Sequence, residues 1–150
     1  MKVSFRSADQ MLVEFHDPVE REVLLQLLDD AGLNQDPAIL EQFAPDEDVD
    51  EWREWIRPEL SHTFKGQIEV VADALRDDPD FVEIDREHFE LWYGALNQSR
   101  LALENVYRFA GVDQVGEVVT WPEDKQSAFM RFQLALALQS ALLDAMDSNF

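Results

Sequence analysis

The sequence predicts a mainly α-helical fold: a single-domain helical bundle with a small N-terminal β-hairpin and a buried C-terminal helix. Apolar residues recur at helical spacing over most of the chain, and proline or glycine marks many of the expected helix ends. A length of 150 residues and a hydrophobic fraction of 46% suit one globular domain, residues 1–150. The sequence contains no cysteine, which excludes a disulfide framework and thiolate chemistry.

The N-terminal segment carries the clearest alternation of apolar and polar residues. Two short runs flank the polar turn Ser7-Ala8-Asp9-Gln10, and this pattern predicts a β-hairpin. The apolar residues of the two runs are Val3, Phe5, Leu12 and Phe15. Because a two-stranded hairpin is only marginally stable in water, we expect a helix to cover it.

Two helices are predicted next. Asp17-Pro18-Val19-Glu20 combines an N-cap acceptor, a proline at the first helical position and an acid three residues after the cap. Gly32 ends the apolar stripe that follows. Asp36-Pro37 repeats the start signal for a shorter helix, which Pro45 closes.

The chain becomes strongly acidic from Asp46 to Glu54, where we predict a short amphipathic helix. Its apolar residues are Trp52, Trp55 and Ile56. Pro58 breaks or restarts the helix, and a longer helix is predicted from about Glu59 to Arg76. Residues 77–80 are predicted to form a loop.

Two long helices are predicted in the second half. The first opens at Asp85, an N-cap candidate, and runs to Ala110, and Val112–Val119 is irregular. Thr120-Trp121-Pro122-Glu123 resembles a capping box that opens a last helix ending near Met146. That helix is apolar nearly all round, but polar residues interrupt it, so we expect the centre of a bundle rather than a membrane span. The interrupting residues are Arg131, Gln133, Gln139 and Asp144.

Two stretches resemble a known family. Residues 92–103, Trp-Tyr-Gly-Ala-Leu-Asn-Gln-Ser-Arg-Leu-Ala-Leu, are similar to the pattern W, two variable residues, A-L-N, two variable residues, R-L. The last helix is similar to that family's closing helix in its aromatic residue and its LQ pair, Leu138-Gln139. The family is an uncharacterised bacterial one, best known in actinobacteria as domain of unknown function twenty-seventeen. The resemblance implies a short hairpin before the helices and genes often encoded near ClpS, the Clp protease adaptor, but no functional residue.

The charge restricts the partners. With 12 basic and 32 acidic residues, the formal charge of −20 opposes binding to a nucleic-acid backbone or to an anionic membrane surface. We therefore expect no nucleic-acid partner and no membrane partner. Since no long apolar run follows the N-terminal charges, we expect no secretory signal and a cytoplasmic protein.

Two carboxylate and histidine pairs have the spacing that di-iron helical bundles use: Glu59 with His62, and Asp85 with His88. His62 lies about 160° from the apolar face of its helix, and Asp85 serves better as an N-cap. We therefore expect no catalytic, cofactor-binding or metal-binding residue and no cofactor. A metal-dependent or other enzyme that uses these pairs remains the alternative function.

Asn97, Arg100 and Glu104 form a candidate polar flank of the long helix, together with Tyr93. Arg100 can pair with Glu104 one turn later, or reach Asp144 on the last helix and so determine the register of the two helices. The third possibility is a polar patch that faces a partner.

The candidate partner-binding residues are Asp48, Asp50, Glu51, Trp52 and Trp55. Trp52 and Trp55 lie three residues apart, which places them on one helix face, and they serve either to close the core or to anchor a basic, partly apolar partner. From these features we expect a soluble, non-enzymatic interaction or regulatory protein whose protein partner has a basic surface. Its link to regulated proteolysis is implied by the family resemblance alone.

Overall fold

The computed structural model describes residues 1–32, 44–109 and 118–147. Within them lie three short strands and four helices around one apolar core. The short helix predicted after Asp36-Pro37 lies outside the described residues, as does most of the irregular segment Val112–Val119.

The predicted hairpin is confirmed and gains a third strand. Strands β1 (Lys2–Ser7), β2 (Gln10–Glu14) and β3 (Phe81–Asp85) form an antiparallel sheet in the order β1-β2-β3. On β3, Val82 and Ile84 are buried opposite Val13 and Met11 of β2, whereas the residues between and after them are exposed.

The third strand corrects the predicted start of the long helix. Asp85 is the last residue of β3, and its side chain caps no helix. Its Oδ1 instead accepts a hydrogen bond from Gln10 Nε2 at 3.1 Å. The local signal of an acid before an apolar helix was misleading because pairing with β2 determines the conformation here, and that pairing spans about seventy residues of sequence.

Helix α1 (Pro18–Ala31) follows the predicted signals closely. The Asp17 carboxylate accepts hydrogen bonds from the backbone N–H groups of Val19, at 2.8 Å, and Glu20, at 3.3 Å. The N–H of Gly32 donates to carbonyls of the last turn of α1. The apolar stripe of α1 is buried in the core; its buried leucines are Leu24, Leu27 and Leu28.

Pro58 does not interrupt the helix that contains it. One α-helical turn (Val49–Glu51) passes into a π-helical turn (Trp52–Ile56) and then into helix α2 (Arg57–Asp77). Pro58 lacks the N–H that an α-helix would pair with the carbonyl four residues earlier. The widened turn accommodates this, since the N–H of Arg57 donates to the carbonyl of Trp52, five residues back.

Helix α3 (Phe89–Tyr107) lies at the centre of the bundle and contacts α1, α2 and the last helix, α4 (Glu123–Asp147). A short 3₁₀ turn (Arg86–His88) connects β3 to α3. Helix α4 packs mainly on α3, as expected of a buried C-terminal helix. The prediction that α4 forms the centre of the bundle is wrong, because α3 lies there and the outer face of α4 exposes Met130 and Leu143. None of the described helices has both the length and the apolar character needed to cross a membrane.

Candidate functional site

The acidic turn, which we define as residues 46–56, lies before α2 and surrounds an open cavity of about 450 Å³. The segment contains six acidic residues and a single basic one, Arg53. Three acids line the cavity together with four apolar residues. The acids are Glu47, Asp48 and Glu51, and the apolar residues are Pro45, Trp52, Trp55 and Ile56.

Two backbone irregularities shape the acidic turn. Asp48 has a φ of 58° and a ψ of 35°, in the left-handed region that non-glycine residues seldom adopt. Its carbonyl accepts a hydrogen bond from the N–H of Trp52 at 3.0 Å, and the π-helical turn begins at that residue. Both irregularities therefore lie within the segment that lines the cavity.

The two tryptophans of the acidic turn differ sharply in exposure. Trp52 is 8% exposed and forms part of the hydrophobic core, whereas Trp55 is 63% exposed and its neighbour Ile56 is 47% exposed. A π-helical turn holds more residues than an α-helical turn, so positions three apart are not stacked on one face as they are in an α-helix. The structure therefore gives the two residues different environments, although both line the cavity.

The acids singled out in the sequence are all at the surface. Asp48, Asp50 and Glu51 are exposed. Asp50 Oδ1 lies 3.8 Å from Arg53 Nη1, an exposed pair worth little to stability. The negative charge of Asp48, Asp50 and Glu51 is therefore available to an approaching partner.

A second acidic groove, of about 500 Å³, lies between α1 and α2. Its lining contains four acids and Arg76 over an apolar floor, but no aromatic residue. The acids are Glu22, Asp29, Glu69 and Asp73. This groove is acidic, like the acidic turn, but no indole lines it. Comparing the two sites therefore isolates the effect of the tryptophans.

The polar flank of α3 is built into the contact with α4. Asn97 Oδ1 accepts hydrogen bonds from Arg100 Nη2, at 2.8 Å, and from Gln139 Nε2 on α4, at 3.5 Å. Gln139 Nε2 also lies 3.4 Å from the carbonyl of Tyr93. Asp144, considered above as a partner for Arg100, is exposed on α4. Asn97, rather than an acid, therefore links Arg100 to the helix pair.

Glu104, the third residue of the flank, contacts the chain that leaves α3. Its Oε2 accepts a hydrogen bond from the N–H of Phe109 at 3.3 Å, after Arg108 has turned the backbone into the left-handed region. Phe109 is buried among aromatic rings of the α3 and α4 ends, with centroid distances of 5.1 to 6.1 Å. These contacts are helix-packing contacts.

The family pattern thus falls on the central helix. Trp92, Ala95 and Leu96 are buried in the core, and Asn97 and Arg100 are half-buried beside α4. A family described as Domain of unknown function (DUF2017) matches residues 2–146. The chain belongs to this family. No curated protein and no solved structure matches it.

This DUF2017 chain also brings together three side chains that could hold a metal ion. Ligand atoms of Asp85, Glu87 and His88 all lie within 4.8 Å of one another, and within the described ranges they are the one such group of three or more. Asp85 and Glu87 are exposed and His88 is half-buried. His62 is exposed as the helical angle predicts, and it lies outside this group.

Arg86 links the segment that carries these three residues to the β1–β2 turn and to the end of α4. Its Nη1 donates to the carbonyl of Ala8 at 2.9 Å, and its Nη2 donates to the carbonyl of Met146 at 3.1 Å. The cation therefore lies at the C-terminal end of α4, where the helix dipole favours positive charge. Sequence reasoning paired Asp85 with His88 but missed Glu87, because a 3₁₀ turn rather than an α-helix follows the strand.

Proposed function

We propose that this DUF2017 protein is a non-enzymatic interaction protein that binds a basic segment of a partner protein at the acidic turn. The observation that carries the proposal is the exposure of Trp55 and Ile56 beside a cavity that three acids also line. Large exposed apolar side chains cluster at interaction sites more often than elsewhere on a soluble surface.

The chemistry of the acidic turn suits a basic, partly apolar partner. Tryptophan is enriched among the residues that dominate binding energy, and its contribution is largest where surrounding contacts exclude water. Asp48, Asp50 and Glu51 supply the opposite charge that steers a basic segment and selects against acidic ones. The formal charge of −20 extends this attraction beyond the turn.

The proposed link to regulated proteolysis rests on the family resemblance alone. Members of the family are often encoded near the adaptor ClpS, and an interaction protein without chemistry of its own fits such a setting. A partner from that system would have to present Lys or Arg together with apolar surface.

Charge reversal tests the proposal. We would immobilise the wild-type protein, the variant D48K/D50K/E51K and a control, D29K/E69K/E90K, which changes the charge equally at exposed positions of α1, α2 and α3. Each would capture proteins from a cell lysate at low and moderate NaCl, with circular dichroism to confirm intact helices. We expect a basic protein that the wild type and the control retain at low salt and the turn variant loses. Equal recovery by the turn variant would place binding elsewhere.

A second candidate function is metal-dependent chemistry, and the Asp85, Glu87 and His88 group favours it. Two carboxylates and an imidazole suit a divalent transition metal. Calorimetric titration of the metal-free protein with Zn²⁺ tests this, using H88A and the matched surface variant H62A. Binding that H88A abolishes and H62A retains would support a metal site, whereas weak binding that neither variant changes would reflect the general negative charge.

A further inference from the structure

We infer that the cavity of the acidic turn takes the guanidinium side chain of an arginine from the partner. This inference rests on the proposed function of the same turn and specifies the chemical group that the turn recognises. The alternatives to an arginine-selective cavity are a surface that prefers lysine and a surface that binds any cation by charge alone.

The cavity of the acidic turn is open and has room for a long side chain. Its volume of about 450 Å³ lies in the lower half of the roughly 300–1,000 Å³ typical of ligand sites. Its lining residues all come from one short segment, residues 45–56, rather than from two facing helices. An extended segment that inserts one side chain is the occupant that this geometry favours.

The lining combines the two kinds of surface that an arginine needs. Pro45 and Ile56 offer apolar surface for its methylene stem, and the indoles of Trp52 and Trp55 also line the cavity. Trp55 is 63% exposed, and an exposed indole attracts a planar cation. Glu47, Asp48 and Glu51 are the available acceptors for its N–H groups. An anion would meet three like charges in this cavity, and a purely apolar ligand would leave those charges unmatched.

Arginine fits this lining better than lysine. Its guanidinium is planar and weakly hydrated, so it stacks on an indole while its edge still donates to carboxylates. The ammonium of lysine is a compact, strongly hydrated charge, and it gives up more hydration to enter a cavity walled by tryptophan. The α1–α2 groove offers similar charge without an indole and would not make this distinction.

Two peptides test the inference. Both are capped Gly-Ser peptides of equal length that carry three arginines or three lysines, and they are titrated into the ¹⁵N-labelled full chain. The four tryptophans give four indole N–H signals, of which Trp92 in the core and Trp121 beside Lys125 serve as internal references. We expect the arginine peptide to shift the Trp52 and Trp55 signals and to bind about five-fold more tightly than the lysine peptide.

Substitution of the exposed indole provides the decisive comparison. W55A should weaken binding of the arginine peptide about five-fold and remove the preference over lysine, because the stacking surface is lost. The control M130A removes a 72% exposed side chain on α4 and should leave both affinities unchanged. Trp55 is suited to this test because a side chain that is 63% exposed contributes little to the stability of the fold. Circular dichroism would verify that W55A is folded.

The outcomes separate the inference from the function on which it rests. Equal binding of the two peptides, unaffected by W55A, would overturn arginine selectivity and leave a basic partner in place. Absence of shifts at Trp52 and Trp55 would also overturn the inference, while the lysate capture with charge-reversal variants decides the proposed function separately. Loss of capture by D48K/D50K/E51K, together with tighter binding of the arginine peptide, would support both the proposed function and the inference.

Discussion

Arg131 and Asp30 form a nearly buried, two-pronged ion pair between α4 and the last turn of α1. Arg131 Nε lies 2.7 Å from Asp30 Oδ2, and Nη2 lies 3.2 Å from Oδ1, with the side chains 13% and 8% exposed. Burial opposes the charge of Arg131, but the hydrogen bonds and charge of Asp30 outweigh it and raise the pKa of the guanidinium above its ordinary value. The pair therefore joins the first and last helices of the bundle, and its guanidinium stays protonated at ordinary pH.

We expect R131M to lower the free energy of unfolding by about 3–5 kcal/mol, because the buried carboxylate of Asp30 would lose its partner. Urea unfolding measures this change, and D29A, which removes the exposed neighbouring acid, serves as the control. The double variant D30L/R131M should be more stable than R131M alone, since it leaves no unpaired buried charge. A loss in R131M no larger than in D29A would show that the pair contributes little.

Gly94 on α3 lies against the side chain of Gln67 on α2. A β-carbon at position 94 would be 2.8 Å from Gln67 Oε1 and 2.9 Å from Nε2, whereas at Gly66 it would meet no atom within 4 Å. We expect G66A to raise the free energy of unfolding by about 1 kcal/mol, the usual gain in a helix interior, and G94A to give no gain. An equal gain in the free energy of unfolding for G66A and G94A would contradict the close contact. The double variant G94A/Q67A should recover part of the stability that G94A fails to gain.

The local signals in the sequence predicted the helices well. The Asp17 cap and the proline after it are sufficient to predict the start of α1, because both act on neighbouring backbone groups. The C-terminal helix is likewise predictable from its length and apolar content, although its outer face, with Met130, is only visible once the bundle is assembled.

The errors arise where distant contacts or unusual turns decide the structure. Strand β3 depends on pairing with β2, and the short run Phe81–Asp85 lies between a predicted loop, residues 77–80, and the predicted helix cap at Asp85. The π-helical turn before Pro58 cannot be deduced from residue spacing, since the same proline could equally end the helix.

The candidate site was predictable in composition and not in geometry. The acids and tryptophans of the acidic turn are adjacent in sequence, so the segment stands out. The different exposure of Trp52 and Trp55 accompanies a π-helical turn, and the segment that brings Pro45 and Glu47 to the cavity contains the left-handed Asp48. Neither backbone feature has a sequence signature as strong as that of a helix cap.

Salt should stabilise this protein. At a formal charge of −20 the acidic side chains repel one another in the folded state, and added ions screen that repulsion. We expect the thermal midpoint to rise from low to moderate NaCl, and to rise less for D48K/D50K/E51K, whose net charge is less negative. A flat or falling midpoint in the wild type would contradict the expectation.

Removal of metal should not affect folding. The Asp85, Glu87 and His88 group lies at the surface, and the core between the helices is apolar. Thermal melts with and without a chelator should therefore have the same midpoint, because the described core packs through apolar side chains. A fall of several degrees on chelation would indicate a structural metal and favour the alternative function.

Alanine variants of Trp52 and Trp55 should distinguish a residue that the fold needs from a residue that recognition needs. W52A removes an indole that is only 8% exposed, so we expect a loss of about 3–5 kcal/mol in the free energy of unfolding. W55A removes one that is 63% exposed, and its effect on unfolding should stay within about 0.5 kcal/mol. Urea unfolding of both variants, with W52F to retain part of the buried ring, measures the difference. If both alanine variants unfolded and the charge reversals captured partners normally, the acidic turn would be structural, because a surface used for recognition must tolerate loss of its exposed anchor without loss of the fold.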